Sequence, residues 1–255
     1  MKYPSVFIGH GSPMIALEKS ETTDNFKKLG AYLINNYGKP KAILSISAHW
    51  FTRGNFIQKE ENPRQIYDMY GFPEELYEIK YPVRGDFTLT NKVKDLIEDI
   101  DINNEWGIDH GSWTVLKHIF PKADIPVVQL SVNGLVGEEE IFSLGKKLES
   151  LRNEGYLILG SGNIVHNLMK ANWEVSGGSL ENKDFDEFIV KNILDKNYEN
   201  IINHRNNPNS LYAVPTKEHF YPLLYVLGAS KDGKVKVFNR EGRLSSISMS
   251  SFIFE

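Results

Sequence analysis

Short apolar runs alternate with longer stretches of helical periodicity along this chain. Continuous apolar runs, of the type found in buried parallel strands, predict strands at residues 5–9, 42–47, 127–132 and 156–160. Apolar positions spaced three and four residues apart predict helices at residues 25–37, 88–100, 138–153, 185–205 and 218–227. Because strands and helices alternate, we expect an α/β fold with a mostly parallel central sheet flanked by helices.

The end of the chain has a different pattern. Residues 235–238 and 247–254 alternate between apolar and polar positions, which is compatible with antiparallel strands added to the sheet. Two polar stretches, 173–184 and 204–210, are predicted to be loops. Neither is rich enough in Pro and Gly to separate two domains, so we expect residues 1–255 to form a single catalytic domain.

The composition is that of an ordinary globular protein. The 255 residues are 41% hydrophobic and carry a formal net charge of −4, which provides no basic surface for nucleic acid. No polybasic cluster is present, no apolar run approaches the roughly 20 residues of a spanning helix, and the first residues lack a signal-peptide pattern. We therefore expect a cytoplasmic protein that binds neither nucleic acid nor membranes.

The chain contains no cysteine, and this limits the chemistry of any metal site. Disulfides, iron–sulfur clusters, thiolate zinc sites and a cysteine nucleophile are all excluded. A metal would have to be held by His, Asp, Glu or other oxygen ligands. That donor set suits Zn, Fe(II) or Mn.

Histidines are concentrated where the predicted elements begin or end. Five of the seven lie at such positions: His10, His49, His110, His166 and His219. Three of them follow the carboxyl ends of predicted strands, with His166 expected in the first turns of a helix, whereas His110 lies in a loop and His219 opens the last helix. Ligands of α/β sheets bind outside the carboxyl ends of the strands. The set of five therefore predicts a metal or acid–base site.

The two remaining histidines have a structural interpretation. We assign His118, in the helix-like segment "TVLKHIF", to packing or to the surface, and His204, in "NHRNN", to a polar surface. A single loop histidine is more often a solvated or capping residue than a ligand. The prediction of a site therefore depends on the five histidines at element ends taken together.

Two local features modify this picture. Glu218 is an alternative carboxylate ligand beside His219, but neighbouring helical residues point about 100° apart, so only one of them should face a common metal. The glycines on both sides of His10 predict either a tight backbone path or a bulky group that approaches the chain closely.

Taken alone, these residues leave the reaction open. The helical HExxH signature of zinc proteases is missing, so the ligands would come from distant parts of the chain. The segment "GSGNIVHN" contains only an incomplete nucleotide-binding glycine pattern, and nothing marks Ser12 of "GHGSP" as an activated nucleophile. A mononuclear, histidine-rich metal site is the prediction that remains.

Six motifs, together and in this order, resemble the class III extradiol ring-cleavage dioxygenases, the superfamily of the protocatechuate 4,5-dioxygenase catalytic subunit. The closer likeness is to the DOPA 4,5-dioxygenase-like branch, and it extends from residue 5 to "SMSSFIF" at the end of the chain. The motifs are "FIGHGSPM", "SAHW", "IYDMYGFPEELYEIKYP", "GIDHGSWTVL", "GSGNIVHNL" and "PTKEHFYPLLYVLGA".

The resemblance implies a role for each of the five histidines. It implies that His10, His49 and His219 bind the metal, that His166 is the catalytic acid–base residue, and that His110 lines the pocket and hydrogen-bonds substrate or oxygen. The expected cofactor is Fe(II), with Zn(II) as an alternative occupant, and the resemblance implies that the glycines beside His10 let the chain pass close to metal and substrate. The implied partners are a small aromatic diol and O2, both of whose atoms enter the product, and the expected assembly is a monomer or small homo-oligomer.

One position departs from the family pattern. Relatives often have a histidine directly before the Pro of "PTKEHF", where this chain has Val214, so its natural catechol could differ from theirs.

Two other functions remain as alternatives: a zinc-dependent hydrolase or isomerase on the same scaffold, and a metal- or ligand-binding protein without catalysis. The last alternative gives His166 and His110 no purpose.

Overall fold

The structure, a computed structural model, describes residues 2–230 and 233–255. The predicted domain, 1–255, therefore includes three positions outside the described residues: 1, 231 and 232. The strands are β1 (Ser5–Gly9), β2 (Ile43–Thr52), β3 (Asn55–Ile57), β4 (Ile100–Ile102), β5 (Val127–Asn133), β6 (Leu157–Gly162), β7 (Val235–Phe238), β8 (Gly242–Arg243), β9 (Ile247–Ser248) and β10 (Ser251–Phe254). The α-helices are α1 (Glu21–Tyr37), α2 (Glu74–Glu78), α3 (Phe87–Leu96), α4 (His110–Ile119), α5 (Glu138–Asn153), α6 (Leu180–Leu194), α7 (Tyr198–Ile202), α8 (Ser210–Ala213) and α9 (Tyr221–Gly228).

Within the described ranges, eight strands form one mixed sheet in the order β4-β3-β5-β2-β6-β1-β10-β7. The four central strands β5, β2, β6 and β1 are parallel to one another. At one edge β10 and β7 add in antiparallel fashion, and at the other β3 is antiparallel to β5 and parallel to β4. The predicted α/β fold, mostly parallel with antiparallel strands at the C-terminus, is confirmed.

Helices cover both faces of this sheet. Side chains alternate between the faces of a strand, and in β1 Phe7 packs in one buried hydrophobic cluster while Val6 and Ile8 pack in the other. The first cluster includes the apolar faces of α5, α6 and α9, and the second those of α1 and α4. Burial on both sides explains why the central strands are continuous apolar runs.

The second strand is longer than predicted. The apolar pattern ends at residue 47, but β2 continues to Thr52, so His49 lies inside the strand rather than after it. Pairing between β2 and β5 jumps from Ile46–Leu130 to Phe51–Val132. This irregularity lets polar and half-exposed residues belong to a strand whose first half is fully buried.

Two predicted helices are shorter than their apolar periodicity suggests. The helix expected at 88–100 ends at Leu96, after which Ile100 begins the edge strand β4. The helix expected at 185–205 begins earlier, inside the predicted loop 173–184, because Ser179 caps α6 by accepting a hydrogen bond from the Asn182 amide (3.2 Å). It ends at Leu194, and α7 follows as a separate helix.

Three further boundaries affect the histidines or the last strands. Residues 247–254 form two strands, of which β9 pairs with β8 outside the main sheet. His166 is not helical but forms an isolated antiparallel bridge with Ile247. The last helix starts at Tyr221, so His219 lies in the turn before it.

The described helices do not provide a segment that is both long and apolar enough to cross a membrane.

Candidate metal centre

Histidines from remote parts of the chain meet at the carboxyl ends of the central parallel strands. His10 directly follows β1, and its amide donates to the carbonyl of Gly162 at the end of β6 (3.1 Å). This hydrogen bond holds His10 beside the neighbouring strand. The predicted site therefore has the position that the strand topology requires.

The irregular second half of β2 positions His49. Its amide donates to the Ser47 hydroxyl (3.3 Å) in the stretch where the strand leaves its ladder with β5. The N-terminus of α4 packs directly against it, because a Cβ built on Gly111 would lie 2.8 Å from Cδ2 of His49 and 2.6 Å from Oγ of Ser47. Only glycine allows this approach.

Small residues at the end of β6 position His219. The Asn163 amide donates to the His219 carbonyl (2.9 Å), and a Cβ on Gly162 would lie only 2.2 Å from the same oxygen. A Cβ on Gly160 would lie 2.6 Å from the carbonyl of Pro222. The glycines of "GSGNIVHN" therefore let the turn before α9 pack on the sheet, which accounts for the incomplete nucleotide-binding pattern.

Three of the predicted residues form one compact cluster. The candidate ligand atoms of His10, His49 and His219 all lie within 4.8 Å of one another. Nε2 of His10 and Nε2 of His49 are 3.1 Å apart, and the His219 ring centroid lies 5.3 Å and 5.1 Å from theirs. Imidazoles at this spacing can share a cation.

The hydrogen-bond network assigns the tautomer of His10. The Ser161 hydroxyl donates to the Gly111 carbonyl, so its oxygen must accept the hydrogen bond from Nδ1 of His10 (3.0 Å). Nε2 of the neutral His10 ring therefore carries a lone pair directed toward His49.

The other two rings of the cluster have oxygen atoms beside their Nδ1 atoms. Nδ1 of His49 lies 3.5 Å from Oδ2 of Asp68, and Nδ1 of His219 lies 3.3 Å from Oε1 of Glu218. An ionised carboxylate can only accept a hydrogen bond, so both partners favour the Nδ1–H tautomer. Nε2 of His219 is buried and has no hydrogen-bond partner among the described residues.

These contacts show that the donor set fits a divalent cation. Each Nδ1 faces an oxygen, which is the usual arrangement around a metal-binding histidine. Bare lone pairs of His10 and His49 at 3.1 Å repel each other unless a cation or a proton lies between them. The unpartnered Nε2 of His219 completes a set of three neutral nitrogen donors.

The remaining two predicted residues border this cluster. The ring of His166 stacks on that of His219, with centroids 3.4 Å apart and planes inclined by 8°. The ring of His110 lies 3.8 Å from that of His49, at the start of α4, which begins here because Asp109 caps it by accepting from the Ser112 amide (3.1 Å). All five predicted histidines are thus brought together.

Burial favours the neutral form of four site histidines, His10, His49, His166 and His219. Loss of solvation lowers the pKa of His49 to about 3 and the pKa of His166 to about 4. The pKa values of His10 and His219 also lie well below the ordinary value, because burial is reinforced by repulsion from the neighbouring rings. Neutral imidazoles offer the lone pairs that bind a metal or accept a proton.

Sequence reasoning missed one carboxylate at the site. Asp68, from the irregular segment between β3 and α2, contacts both His49 and His110. Burial raises its pKa, but the contacts of its oxygen atoms with the ring and backbone amide of His110, and the nearby His49 ring, outweigh burial and hold the pKa of Asp68 below its ordinary value. Nothing in the local spacing marks this residue, and the motif "IYDMYGFP" was its only signal.

Two other expectations need correction. His204 is fully buried, not on a polar surface, because its ring packs against Phe220 (centroids 4.4 Å apart) and its Nδ1 lies 2.8 Å from the Ser210 hydroxyl. The glycines flanking His10 leave room for Met249: a Cβ on Gly9 would lie 2.6 Å from the Met249 carbonyl carbon, and one on Gly11 2.7 Å from its sulfur. His118 is buried, in agreement with a packing role.

Comparison with known proteins agrees with this geometry. Residues 4–254 match the family model described as the catalytic LigB subunit of aromatic ring-opening dioxygenase. The chain belongs to this family. It is an extradiol ring-cleavage dioxygenase, and the resemblance found in the sequence motifs is confirmed.

Relatives in bacteria and plants carry the same name. The chain is 39% identical over 235 residues to "4,5-DOPA dioxygenase extradiol" of Escherichia coli (strain K12), covering 89% of this chain and 85% of that protein. It is 36% identical over 230 residues to the protein of the same name from Beta vulgaris, covering 88% and 85%. A crystal structure of an uncharacterised protein from Escherichia coli K12 superimposes with a TM-score of 0.85 at 34% identity, covering 100% of both chains.

Proposed function

We propose that this LigB-family protein opens the ring of a catechol-type, DOPA-like aromatic with O2, using a divalent metal held by His10, His49 and His219. The observation that carries the proposal is the convergence of three neutral imidazoles, with two Nε2 atoms 3.1 Å apart and every Nδ1 beside an oxygen. Fe(II) is the proposed physiological metal. Zn(II) is an alternative occupant because imidazole suits both ions.

The neutral donor set has a consequence for the substrate. Three imidazoles leave a bound cation with its full positive charge, which favours binding of an anionic catecholate over a neutral phenol. A bound metal lowers the pKa of the coordinated hydroxyls and, as Fe(II), makes O2 reactive toward the ring.

The neighbouring histidines would move and hold protons. His166 is neutral at physiological pH because burial lowers its pKa to about 4, so it can accept the proton of a catechol hydroxyl and return it as the ring opens. His110, 3.8 Å from the His49 ring, would hydrogen-bond the substrate or oxygen. Both are proposed catalytic residues, whereas His10, His49 and His219 are proposed ligands.

The substrate class is inferred from the relatives. The similar proteins of Escherichia coli, Beta vulgaris and Portulaca grandiflora all carry the name 4,5-DOPA dioxygenase extradiol. Val214, where relatives often have a histidine, is 3% exposed and packs within the hydrophobic cluster that also contains Phe220. We propose a small catechol related to DOPA, and a single catalytic domain spanning residues 1–255.

The test is anaerobic reconstitution with Fe(II), followed by oxygen uptake with a panel of catechols that includes DOPA. The expected result is one O2 consumed per catechol, a yellow semialdehyde product, and both atoms of labelled O2 recovered in it by mass spectrometry. Protein loaded with Zn(II) serves as the matched control and should consume no oxygen. Iron-loaded protein that leaves every catechol intact would contradict the proposal, and a hydrolytic activity of the zinc form would favour the hydrolase alternative.

A further inference from the structure

The segment that carries Asp68 is fixed against the start of α4. The Ile66 amide donates to the Ile108 carbonyl (3.0 Å), and the indole N–H of Trp113 donates to the Ile66 carbonyl (3.0 Å). These bonds lie on both sides of His110 in the sequence. Although it is irregular, the segment therefore holds the Asp68 side chain in a defined place.

One carboxylate group contacts three nitrogen atoms of the site. Oδ1 of Asp68 accepts a hydrogen bond from the backbone amide of His110 (2.8 Å). Oδ2 lies 2.9 Å from Nδ1 of His110 and 3.5 Å from Nδ1 of His49; both are close ionic contacts without the alignment of a hydrogen bond. The side chain of Asp68 is only 12% exposed, so solvent screens these contacts weakly.

From these contacts we infer that Asp68 is a positioning residue that orients His49 and His110 through one shared carboxylate. The inference rests on the proposed function, in which His49 binds the metal and His110 contacts the substrate. An ionised carboxylate only accepts hydrogen bonds, so both Nδ1 atoms carry the hydrogen. The Nε2 lone pair of His49 then faces the metal, and Nε2 of His110 is left free for the substrate.

The shared carboxylate also supplies negative charge beside an otherwise neutral ligand set. When a carboxylate interacts with a metal-binding imidazole, the imidazole becomes a stronger electron-pair donor to the metal and the orientation of its ring is fixed. Glu218 has a related position: its Oε1 lies 3.3 Å from Nδ1 of His219 and accepts from the Thr216 hydroxyl (2.6 Å), and its carboxylate lies within 4.8 Å of ligand atoms of His219 and His166. Among the described carboxylates, only Asp68 lies within 4 Å of ring nitrogen atoms of both a proposed ligand and a proposed catalytic residue.

The decisive variant is Asp68→Asn, studied with Co(II) as a spectroscopic probe of the metal site. The amide oxygen can replace one accepting contact, but the amide N–H groups oppose the imidazole N–H groups and destabilise the required tautomers. We expect Co(II) affinity to fall by about 10- to 100-fold, the usual effect of losing such a partner. The d–d absorption of bound Co(II) should change, and catechol turnover by the iron form should fall as well.

Three comparisons separate positioning from general stability. Asp186→Asn alters another largely buried carboxylate, which accepts hydrogen bonds from Ser248 and Arg240 rather than contacting a site histidine, and it should leave Co(II) affinity and absorption unchanged. Asp68→Glu retains the charge and should recover part of the affinity lost in Asp68→Asn. His110→Gln should lower turnover with little change in Co(II) affinity, because Asp68 supports His49 independently.

Wild-type Co(II) affinity and absorption in a folded Asp68→Asn protein would overturn the inference. Circular dichroism of the metal-free protein tests whether the variant is folded. If Asp68→Asn does not fold, Asp68→Ala replaces it, with the same expected losses of Co(II) affinity and catechol turnover. A wild-type protein that bound no Co(II) and cleaved no catechol would instead contradict the proposed function. The two failures are therefore distinguishable.

Discussion

Two groups of histidines are buried in this protein, and their surroundings differ. His118 and His204 lie outside the candidate metal centre and are 8% and 0% exposed. His118 donates from Nε2 to the Ile15 carbonyl (2.8 Å), and His204 pairs through Nδ1 with the Ser210 hydroxyl (2.8 Å). Each of these rings is a packed residue with an ordinary hydrogen-bond partner, and the second nitrogen of His204, its unpartnered Nε2, lies 3.6 Å from Oε1 of Glu138 rather than beside another histidine.

In the candidate metal centre the histidines face one another instead. Nε2 of His10 and Nε2 of His49 are 3.1 Å apart, and Nε2 of His219 has no hydrogen-bond partner in the described part of the chain. Burial lowers the pKa in both regions, as for His204 and His166, which both fall to about 4. Burial and a shifted pKa therefore do not identify a functional histidine here, whereas convergence of unpaired nitrogen donors does.

Removing a proposed ligand should produce the largest difference between the two regions. We expect His10→Ala or His49→Ala to lose bound metal and with it all measurable catechol turnover, a loss of more than about 100-fold. His118→Gln, in the other group, should retain wild-type metal content. Elemental analysis after dialysis measures this, and a His10→Ala protein with full metal content would remove His10 from the ligand set.

Changing His166 should separate metal binding from proton transfer. His166→Ala should retain the metal, because its ring stacks on His219 without belonging to the ligand cluster, but turnover should fall by about 10²- to 10⁴-fold. Metal content measured beside steady-state oxygen uptake tests both parts. Unimpaired turnover would refute the assigned role.

Acid should destabilise the metal-free protein through both groups of histidines. In the unfolded chain a histidine takes up a proton below about pH 6.5, whereas folded His204 and His166 remain neutral until about pH 4. The unfolded state therefore binds more protons in this window, and the free energy of unfolding falls as the pH falls. For the fully buried His204 the effect is on the order of 3 kcal/mol when complete.

Urea unfolding of metal-free protein at pH 7.5, 6 and 5 measures this loss. Saturating Zn(II) should restore stability at pH 7.5, since a ligand that binds only the folded state contributes about 2.7 kcal/mol at 100 times its dissociation constant. The stabilisation by Zn(II) should decrease toward pH 5, because protons compete with the metal for the same histidine nitrogen atoms. A free energy of unfolding that stays constant down to pH 5 would contradict the buried neutral state of these rings.

Glycine substitutions should give the smallest effect and test the turn at His10. Gly9→Ala should destabilise the protein by roughly 1–3 kcal/mol, because the new methyl group would meet the Met249 backbone at 2.6 Å. Gly177→Ala is the matched control, since no atom lies within 4 Å of the methyl position there. Thermal unfolding compares them, and equal melting temperatures would show that the approach to Met249 is not constraining.

Local pattern predicted the elements whose burial is uniform and failed where burial changes along an element. The bounds of β1 and α5 agree with prediction because one strand is buried on both faces and one helix has a regular apolar stripe. The second half of β2 was missed because its exposure alternates after residue 47. The periodicity across residues 185–205 could not reveal that the chain turns at Lys196, whose φ of 56° interrupts a helix.

The same distinction applies to the site. His10 and His49 were predicted to meet because each was expected at the carboxyl end of a strand in a parallel sheet, and the strand order, with β6 between β1 and β2, brings them together although β2 continues past His49. His219 and His110 were predictable as site members only in combination with those two and with the family motifs. Asp68 was not predictable, because a carboxylate in an irregular loop has no periodicity and its partners lie 19 or more residues away in the sequence.

The amino-acid sequence by itself determined the α/β class, the donor types available for a metal, and the five histidines of the centre, since these follow from local periodicity, composition and element ends. Only the tertiary structure decided which nitrogen of each ring faces the centre, that Met249 rather than a ligand occupies the space at the glycines, and that Asp68 joins two of the histidines. Those features depend on contacts between distant segments, and such contacts are set by packing of the whole chain.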